Sequence, residues 1–306
     1  MSEPLVTVAV GCYNHSKYVV ECLESIKNQT YKNIELIIAD DASTDNSVEI
    51  IEKWLADNNY PARKIFHAAN TGLATVLNEC IDMVTGKYVK LIAADDFLEA
   101  TSIEKCVTML EDIGDDLGMV FTDFVTIDEN SRKIEDLFTY KNVDFFEDEH
   151  FLNKTQLLHR NVIIAPTVLL RTSVLNDTGP YRENFILEDH DRWLRINEKK
   201  RIGFINEKLC YYRVLPTSVT STRRNQMVEE DILLKMHYDR SGIAKNFIDW
   251  FFIDRIFQRV IIPAELLKGY EQYPHKDWFL LNAAKYNFPP VFLKIYKKLQ
   301  SIFFSF

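Results

Sequence analysis

Residues 86–97, GKYVKLIAADDF, join a mostly apolar run to two adjacent carboxylates, Asp95 and Asp96. The apolar run has the length and composition of a buried strand, and the pattern at residues 99–110 is helical. Carboxylates at the C-terminal tip of such a strand face the crevice in which open α/β sheets bind ligands. Two neighbouring acids repel each other, so a divalent cation or a basic group beside a ligand phosphate would stabilise them. The stretch therefore predicts a cation or phosphate site at a sheet edge.

The same order of strand, polar loop and helix precedes this stretch. Strand-like runs occupy residues 5–10, 34–39 and 64–68. The polar loop residues that follow them include Tyr13, Asn14, Asp40, Asp41 and Asn70. Strands that alternate with helices predict right-handed crossovers and a mainly parallel sheet, which gathers these loops at one edge. Ser43, Thr44 and Asp45 are explained by a turn and a helix cap without any ligand. Gly86 is predicted to end the third helix with a positive φ.

After Gly114 the pattern becomes less regular. Strand-like runs are predicted at residues 119–127, 162–170, 202–205 and 209–214, with Pro166 interrupting the second of them. A helix is predicted at residues 187–196, with acids in its first turn. Beyond residue 225 the chain is helical and aromatic, so we expect a main domain at residues 1–225 and a helical extension at residues 226–306.

Composition and charge exclude some classes of protein. The 306 residues carry a net charge of -9 with a pI near 5.4, which argues against nucleic-acid binding through clustered Lys and Arg. Five cysteines in apolar settings predict free thiols in a reducing compartment. The N-terminus lacks a basic, signal-like segment, and no apolar run reaches the ~18 to 20 residues that cross a bilayer. We therefore expect a cytoplasmic location.

Several ordered segments share a family pattern. They are VAVGCYN at residues 8–14, SIKNQTY at residues 25–31, IELIIADDASTD at residues 34–45, NTG at residues 70–72, GKY at residues 86–88 leading to Asp95 and Asp96, and Glu188 and Asp189 with Trp193 and Arg195. Together they resemble the inverting family-2 glycosyltransferases of the GT-A fold. The resemblance covers residues from about 5 to 225. It implies an α/β fold with a mostly parallel central sheet flanked by helices. A Rossmann dinucleotide enzyme is disfavoured, because the first strand-helix turn lacks Gly-x-Gly-x-x-Gly.

The resemblance implies a role for each loop. Tyr13, Asn14, Asp40, Asp41 and Asn70 would contact the nucleotide of a nucleotide-diphosphate sugar, with a UDP-sugar favoured. Asp95, with Asp96 beside it, would hold Mn²⁺ or Mg²⁺ against the donor diphosphate. Asp189 would be the general base that deprotonates an acceptor hydroxyl, with Asp191 as its competitor. Apart from the resemblance, the fork geometry of a guanidinium matches phosphate oxygens, so Arg223 or Arg224 is predicted to clamp the diphosphate. The acceptor would be a saccharide or lipid-linked saccharide used in surface polysaccharide or glycolipid synthesis.

Two positions depart from the family pattern. Ala93 stands where the family often has a further Asp, and Leu215 lies near the position of a common His. Both departures reduce the number of protein groups available to a metal ion. They leave open an alternative function, in which the chain is a non-catalytic sugar-nucleotide-binding or scaffold module.

The last predicted helix, within residues 288–306, has an apolar face. Val291, Phe292, Ile295, Leu299, Ile302 and Phe303 can share that face, with lysines flanking it. Such a helix can pack on the main domain or on a partner protein. It can also lie in a membrane surface, which would place the protein at the inner face of the cell membrane.

Overall fold

One mixed sheet of eight strands organises the computed structural model, which describes residues 3–135, 140, 145–148, 150–183, 185–216 and 223–303, and only the backbone at 297–303. The strands are β1 (Val6–Cys12), β2 (Ile34–Asp40), β3 (Arg63–Phe66), β4 (Tyr88–Ala93), β5 (Phe97–Leu98), β6 (Leu117–Ile127), β7 (Leu169–Arg171) and β8 (Arg201–Arg213). Their order across the sheet is β3-β2-β1-β4-β7-β6-β8-β5. The sheet belongs to the first of two compact units, which comprises residues 1–157 and 161–221.

The first four strands run parallel to one another. β1 pairs with β2 and β4, and β2 pairs with β3. Their carboxyl ends therefore meet at one edge, as the alternation of strands and helices predicts. β6 and β8 are also parallel, whereas β7 runs antiparallel to β4 and β6, and β5 antiparallel to β8.

Seven helices accompany the sheet in the described part of the chain up to residue 216. They are α1 (Val19–Lys27), α2 (Ser47–Asn58), α3 (Leu73–Asp82), α4 (Ser102–Ile113), α5 (Gln156–His159), α6 (Thr172–Thr178) and α7 (Glu188–Lys199). The first four bury apolar stripes; α3, for example, packs Val76 and Cys80 against Ala9, Ile37 and Ala39 of the sheet. Burial of such side chains contributes about 1.5 to 3 kcal/mol each and fixes the helices, and hence the loops that precede them, on the strands. All five cysteines are free and buried.

Two local expectations are wrong. Gly86 does not end α3 with a positive φ; α3 is capped at Met83, and a Cβ on Gly86 would lie 2.7 Å from the backbone nitrogen of Thr7, so close packing requires the glycine. The two short strands predicted at residues 202–205 and 209–214 are one strand, β8, whose register against β6 shifts near Asp123. In the run at residues 162–170, Pro166 interrupts the strand as predicted: residues 165–167 form a 3₁₀ turn, and β7 follows it.

The second unit comprises residues 158–160 and 222–306. Its helices are α8 (Arg224–Tyr238), α9 (Lys245–Gln258), α10 (Ala264–Gln272), α11 (Trp278–Lys285) and α12 (Pro290–Phe303). Aromatic side chains dominate its core: the rings of Phe252 and Tyr270 stack with centroids 4.1 Å apart, and Leu293 of α12 is fully buried. This unit therefore has a core of its own. None of the described helices has both the length and the apolar content needed to cross a bilayer.

Candidate functional site

The loops after β1, β2 and β4 adjoin at the carboxyl edge of the sheet. The carbonyl of Gly11 accepts a hydrogen bond from the amide of Ala94 at 2.8 Å, and the carbonyl of Cys12 accepts one from the amide of Asp41 at 2.9 Å. These bonds continue the strand pairing by one residue on each side of β1. The structure therefore brings the Tyr13, Asp40 and Asp95 loops together, as the sequence predicts.

Asn14 joins the first two loops. Its backbone has a φ of 56°, in the left-handed region that Asn tolerates. Its amide donates to the Ser43 hydroxyl at 2.8 Å, and its side-chain oxygen accepts from the Thr44 amide at 2.8 Å. Next to it, the Tyr13 side chain is 45% exposed. Asn14 thus holds the loops in register, while the Tyr13 ring remains available to a ligand.

Asp41 is surrounded by donors from the next loop. Its carboxylate accepts from the amides of Thr71 and Gly72 at 2.8 and 2.9 Å, from the Thr71 hydroxyl, and contacts His67 Nδ1 at 2.9 Å. Burial alone would raise its pKa, but these hydrogen bonds outweigh burial and hold the pKa of Asp41 below its ordinary range. Asn70 donates weakly to the Asp41 carbonyl at 3.3 Å. Asp41 therefore fixes the loop at residues 70–72.

Asp40 has a similar local function. The buried Asp40 carboxylate accepts from the amide and the hydroxyl of Ser43 at 2.8 and 2.6 Å. His67 bridges Asp41 and Glu79, whose Oε2 lies 2.6 Å from His67 Nε2. The contact with Asp41 is the main reason that the pKa of His67 is raised. Both acids of the Asp40 loop thus support backbone turns in this structure.

Asp95 and Asp96 differ in their surroundings. The Asp95 side chain keeps 17% of its surface exposed, and its Oδ2 lies 3.8 Å from His15 Nε2. Asp96 is buried and accepts from the Arg213 amide at 2.8 Å. Burial, followed by the proximity of Asp95, raises the pKa of Asp96 well above its usual value. Asp95 is therefore partly open to solvent, whereas Asp96 is enclosed by protein.

Arg213, at the end of β8, holds this turn in place. Its Nε donates to the Asp95 carbonyl at 2.8 Å, Nη1 donates to the Asp128 carbonyl at 2.8 Å, and Nη2 pairs with Glu21 of α1 at 2.6 Å. The guanidinium is fully buried, with its Cζ 4.3 Å from the centre of the Tyr18 ring. A planar group with five fixed donors suits such a junction. Sequence reasoning missed Arg213, because no motif spacing connects it with Asp95.

The fit of a divalent cation rests on Asp95. In the described residues, no cluster of three or more His, Cys, Asp or Glu side chains forms a ready metal cage. Mg²⁺ and Mn²⁺ sites that act on phosphates commonly use one or two carboxylates, with the remaining ligands supplied by water and the substrate. A partly exposed Asp95 carboxylate with His15 beside it fits that kind of shared site.

Asp189 lies in the first turn of α7. Its Oδ1 accepts from the His190 amide at 2.5 Å, and its Oδ2 accepts from the Asn161 amide group at 3.3 Å. Desolvation raises the pKa of Asp189 to about 6. A general base with such a pKa remains ionised at neutral pH and can still accept a proton.

The competitor, Asp191, has a structural environment. Its side chain has no exposed surface, and its Oδ2 lies 2.9 Å from Arg195 Nη2 and 3.4 Å from Arg182 Nε. Its neighbour His190 is also buried, with Nε2 2.8 Å from the Leu157 carbonyl oxygen. Of the acids in this turn, Asp189 has the environment that suits proton transfer.

Tyr212, on β8, is influenced by the charges of both Asp189 and the Asp95–Asp96 pair. Burial raises the pKa of its phenol, and the charges of Asp96, Asp95 and Asp189 raise it further, in that order. Asp189 and the Asp95 pair, which lie on α7 and after β4, are therefore within electrostatic reach of one side chain on β8. Sequence reasoning did not single out Tyr212.

Three further polar residues belong to other segments of the chain: Asn78 to α3, and Arg223 and Arg224 to the start of α8. Asn78 forms paired hydrogen bonds with the backbone of Tyr181, which explains it without a ligand. Arg223 precedes α8 in the second unit and is exposed, as is Arg224. The proposed diphosphate clamp at Arg223 or Arg224 stays a prediction.

Comparison with known proteins identifies the family. The model of glycosyl transferase family 2 matches residues 7–179, more than half of the chain. The chain belongs to this family. Chondroitin synthase of Escherichia coli is 30% identical over 246 residues, which are 79% of this chain and 34% of the synthase. The chain thus spans about a third of that relative.

Solved structures with a similar fold come from two further proteins. TarS of S. aureus, residues 1–349 in complex with UDP-GlcNAc, superposes with a TM-score of 0.63 at 17% identity, over 92% of this chain and 88% of that one. The mannosyltransferase PcManGT of Pyrobaculum calidifontis, in complex with GDP-Man and Mn²⁺, gives a TM-score of 0.63 at 17% identity, over 99% and 81%. The GT-A type of α/β fold, with a central sheet flanked by helices, is confirmed.

Proposed function

We propose that the chain transfers one sugar, with inversion, from a nucleotide-diphosphate donor to an acceptor hydroxyl, with the help of a divalent cation. The observation that carries the proposal is the pair of acids in a chain of glycosyl transferase family 2: the partly exposed Asp95 carboxylate suits a cation, and the Asp189 carboxylate, held by Asn161 and the His190 amide, suits proton transfer. An inverting displacement needs these two functions around one sugar, because the base and the leaving group work on opposite faces of the reacting carbon.

The donor nucleotide is assigned to the loops after β1, β2 and β3. The exposed Tyr13 ring can pack on a base, and polar groups around Asn14, Asp40, Asp41 and Asn70 can meet the base edge and ribose hydroxyls. A UDP-sugar is favoured, because TarS, which shares the fold, was solved with UDP-GlcNAc. Arg223 is proposed to contact the diphosphate through its guanidinium fork.

The cation is assigned to Asp95, with Asp96 beside it as the buried support of the turn. Asp96 stays a predicted metal residue, and its hydrogen bond to the Arg213 amide favours an indirect role. When bound, Mn²⁺ or Mg²⁺ would neutralise the negative charge that develops on the departing nucleoside diphosphate. Mn²⁺ accompanies the donor in PcManGT, which supports this choice.

On the acceptor side, Asp189 is assigned as the general base. Its ionised form can take the proton of a saccharide or lipid-linked saccharide hydroxyl as that oxygen attacks the donor sugar. The similarity to chondroitin synthase supports a role in polysaccharide synthesis, with glycolipid synthesis as a related route. Proton transfer of this kind contributes roughly 10² to 10⁴-fold to the rate.

A donor panel tests the function. UDP-, GDP- and dTDP-sugars are offered with Mn²⁺, with Mg²⁺ or with a chelator, and both donor hydrolysis and melting temperature are measured. A donor at 100 times its Kd stabilises the folded state by about 2.7 kcal/mol, so we expect a melting shift of roughly 5 to 10 °C together with metal-dependent turnover. Binding without any turnover would favour the scaffold alternative, and no response to any donor would contradict both.

The C-terminal helix supports a second proposal, peripheral contact with a membrane. On α12, Val291, Phe292 and Ile295 are 54%, 49% and 52% exposed, and Lys294 lies exposed among them. An amphipathic helix with apolar side chains and lysines binds anionic lipid surfaces. The side chains of Leu299, Ile302 and Phe303, which complete the predicted face, lie outside the described residues.

Flotation with vesicles that contain anionic phosphatidylglycerol tests this contact. A triple variant with serine at positions 291, 292 and 295, and a truncation of residues 299–306, should both lose vesicle binding. Ile261→Ser is the control, because Ile261 is 91% exposed but lies on a different segment. Equal flotation of the intact protein, the triple variant and the truncated protein would refute the proposal.

A further inference from the structure

Asn161 contacts the candidate base from a separate segment of the chain. Its side-chain oxygen accepts from the Ile163 amide at 3.1 Å, in a local turn that the NH₂ group of the same side chain could not form because it is only a donor. That bond settles which end of the amide is the oxygen, so the NH₂ group must point the other way. It points at Asp189 Oδ2, at 3.3 Å.

We propose that Asn161 is a positioning residue that orients the Asp189 carboxylate for proton transfer. The inference rests on the proposed function, since it assumes that Asp189 is the base. Asn161 donates to Oδ2 and the His190 amide donates to Oδ1, and the backbone of Asp189 itself supplies a third donor. A carboxylate has about four acceptor sites, so three donors leave one direction for an incoming hydroxyl.

Asn161 differs from the other groups around Asp189 in being a neutral side chain that bonds the carboxylate directly. Two phenols, Tyr212 and Tyr181, feel the charge of Asp189, and burial raises the pKa of each, so both stay neutral across the working pH range. Glu188 lies beside Asp189 on α7 and acts on the same Tyr181 phenol. The acids Asp95 and Asp96 act on Tyr212 from the β4 side, and Arg192 and Arg195 act on Tyr181. Asn161 is a neutral donor from outside α7 that bonds the carboxylate directly.

The hydrogen bond from Asn161 shifts the pKa of Asp189 in a direction that kinetics can measure. A donor to a carboxylate stabilises its ionised form and lowers its pKa, opposing the effect of burial on Asp189. Loss of Asn161 should therefore raise the pKa of the base. The rate then needs a higher pH, and the acid limb of the kcat/KM profile moves upward by about one pH unit for a hydrogen bond to a charged group.

Asn161→Ala and Asn161→Asp are compared with Asn153→Ala by pH profiles of kcat/KM. Asn153 is the matched control, because it is half-buried and its side-chain oxygen accepts from the amide two residues on, at 3.0 Å, without a contact to Asp189. We expect an upward shift for Asn161→Ala and a larger one for Asn161→Asp, whose negative charge repels the base. The KM for the donor should stay unchanged in all variants, and the pH profile of Asn153→Ala should match that of the intact protein.

The outcomes separate the two proposals. An inactive intact protein contradicts the proposed function. An active protein in which Asn161→Ala loses rate equally at every pH, or shifts no more than Asn153→Ala, overturns the positioning role of Asn161. Donor-induced thermal shifts on all three variants establish that they fold and bind, so a failure to fold cannot be taken for either result.

Discussion

The acids on the Asp41 side of the sheet edge and those at Asp95 and Asp189 differ in how their lone pairs are used. The Asp41 carboxylate receives donors from Thr71, Gly72 and His67. Among the described residues, the one basic side chain within 4 Å of the Asp95 carboxylate is His15, whose Nε2 lies 3.8 Å from Oδ2. An acid whose acceptor sites are filled by backbone amides holds a loop, whereas an acid with open sites can bind an ion or take a proton. The number of hydrogen bonds that a carboxylate accepts therefore distinguishes the acids that hold loops from the acids proposed to bind a cation or a proton.

The largest expected effect comes from comparing Asp189 with Asp191, which lie in the same turn of α7. Asp189→Asn should reduce sugar transfer by roughly 10² to 10⁴-fold while donor binding and melting temperature stay unchanged, because the amide cannot accept the proton. Asp191→Asn should instead destabilise the fold by about 3 to 5 kcal/mol, since Arg195 would lose its buried partner. Turnover assays and thermal melts on both proteins check this. Comparable turnover in Asp189→Asn and the intact protein would remove Asp189 as the base.

A second pair of variants compares Asp95, which accepts few hydrogen bonds, with Asp41, which accepts several. Asp95→Asn should lower metal-dependent turnover by about 10²-fold or more and leave the free energy of unfolding unchanged or slightly higher, because Asp96 loses a repelling neighbour. Asp41→Asn should lower the free energy of unfolding by about 2 to 3 kcal/mol as the bonds to Thr71 and Gly72 weaken. Urea unfolding and Mn²⁺ titration of activity measure both effects. Equal loss of stability in the two variants would mean that donor counts do not separate the acids.

The smallest expected effect concerns pH and His67. The pKa of His67 is raised above its ordinary value of 6.5, chiefly by Asp41, so its stabilising contribution is complete below pH 6.5 and is lost as pH rises through the folded pKa. The pKa of Asp41 is lowered, so its contribution is instead lost in acid. His67→Gln should therefore cost about 1 kcal/mol near pH 6 and less near pH 8. Unfolding curves at the two pH values test this; a cost that grows with pH would show that His67 stabilises the fold as the neutral ring.

The regular part of the fold could be predicted because its cues are local. β1, β2 and β4 are apolar runs closed by polar loops, and the residues at their ends follow directly from the parallel pairing. The extent of β8 could not be predicted, because a polar stretch at residues 206–208 resembles a turn although a register shift carries it through as strand. Contacts between segments that are distant along the chain leave no pattern in the sequence. Arg213, Tyr212 and Asn161 could not be predicted, because their roles depend on neighbours that motif spacing does not identify.

The attachment of Arg213 to the Asp95 turn bears on how the chain matures during translation. The bonds from Arg213 to Asp95 and Asp96 join residues 118 and 117 positions apart. At about 5 to 20 residues per second, a ribosome needs roughly 6 to 24 s to deliver the anchor after the turn has emerged. During that interval β1, β2, β3 and β4 can already assemble, yet the acidic turn lacks its clamp. A nascent chain is therefore expected to fix the turn proposed to bind the cation only when its last strand, β8, docks.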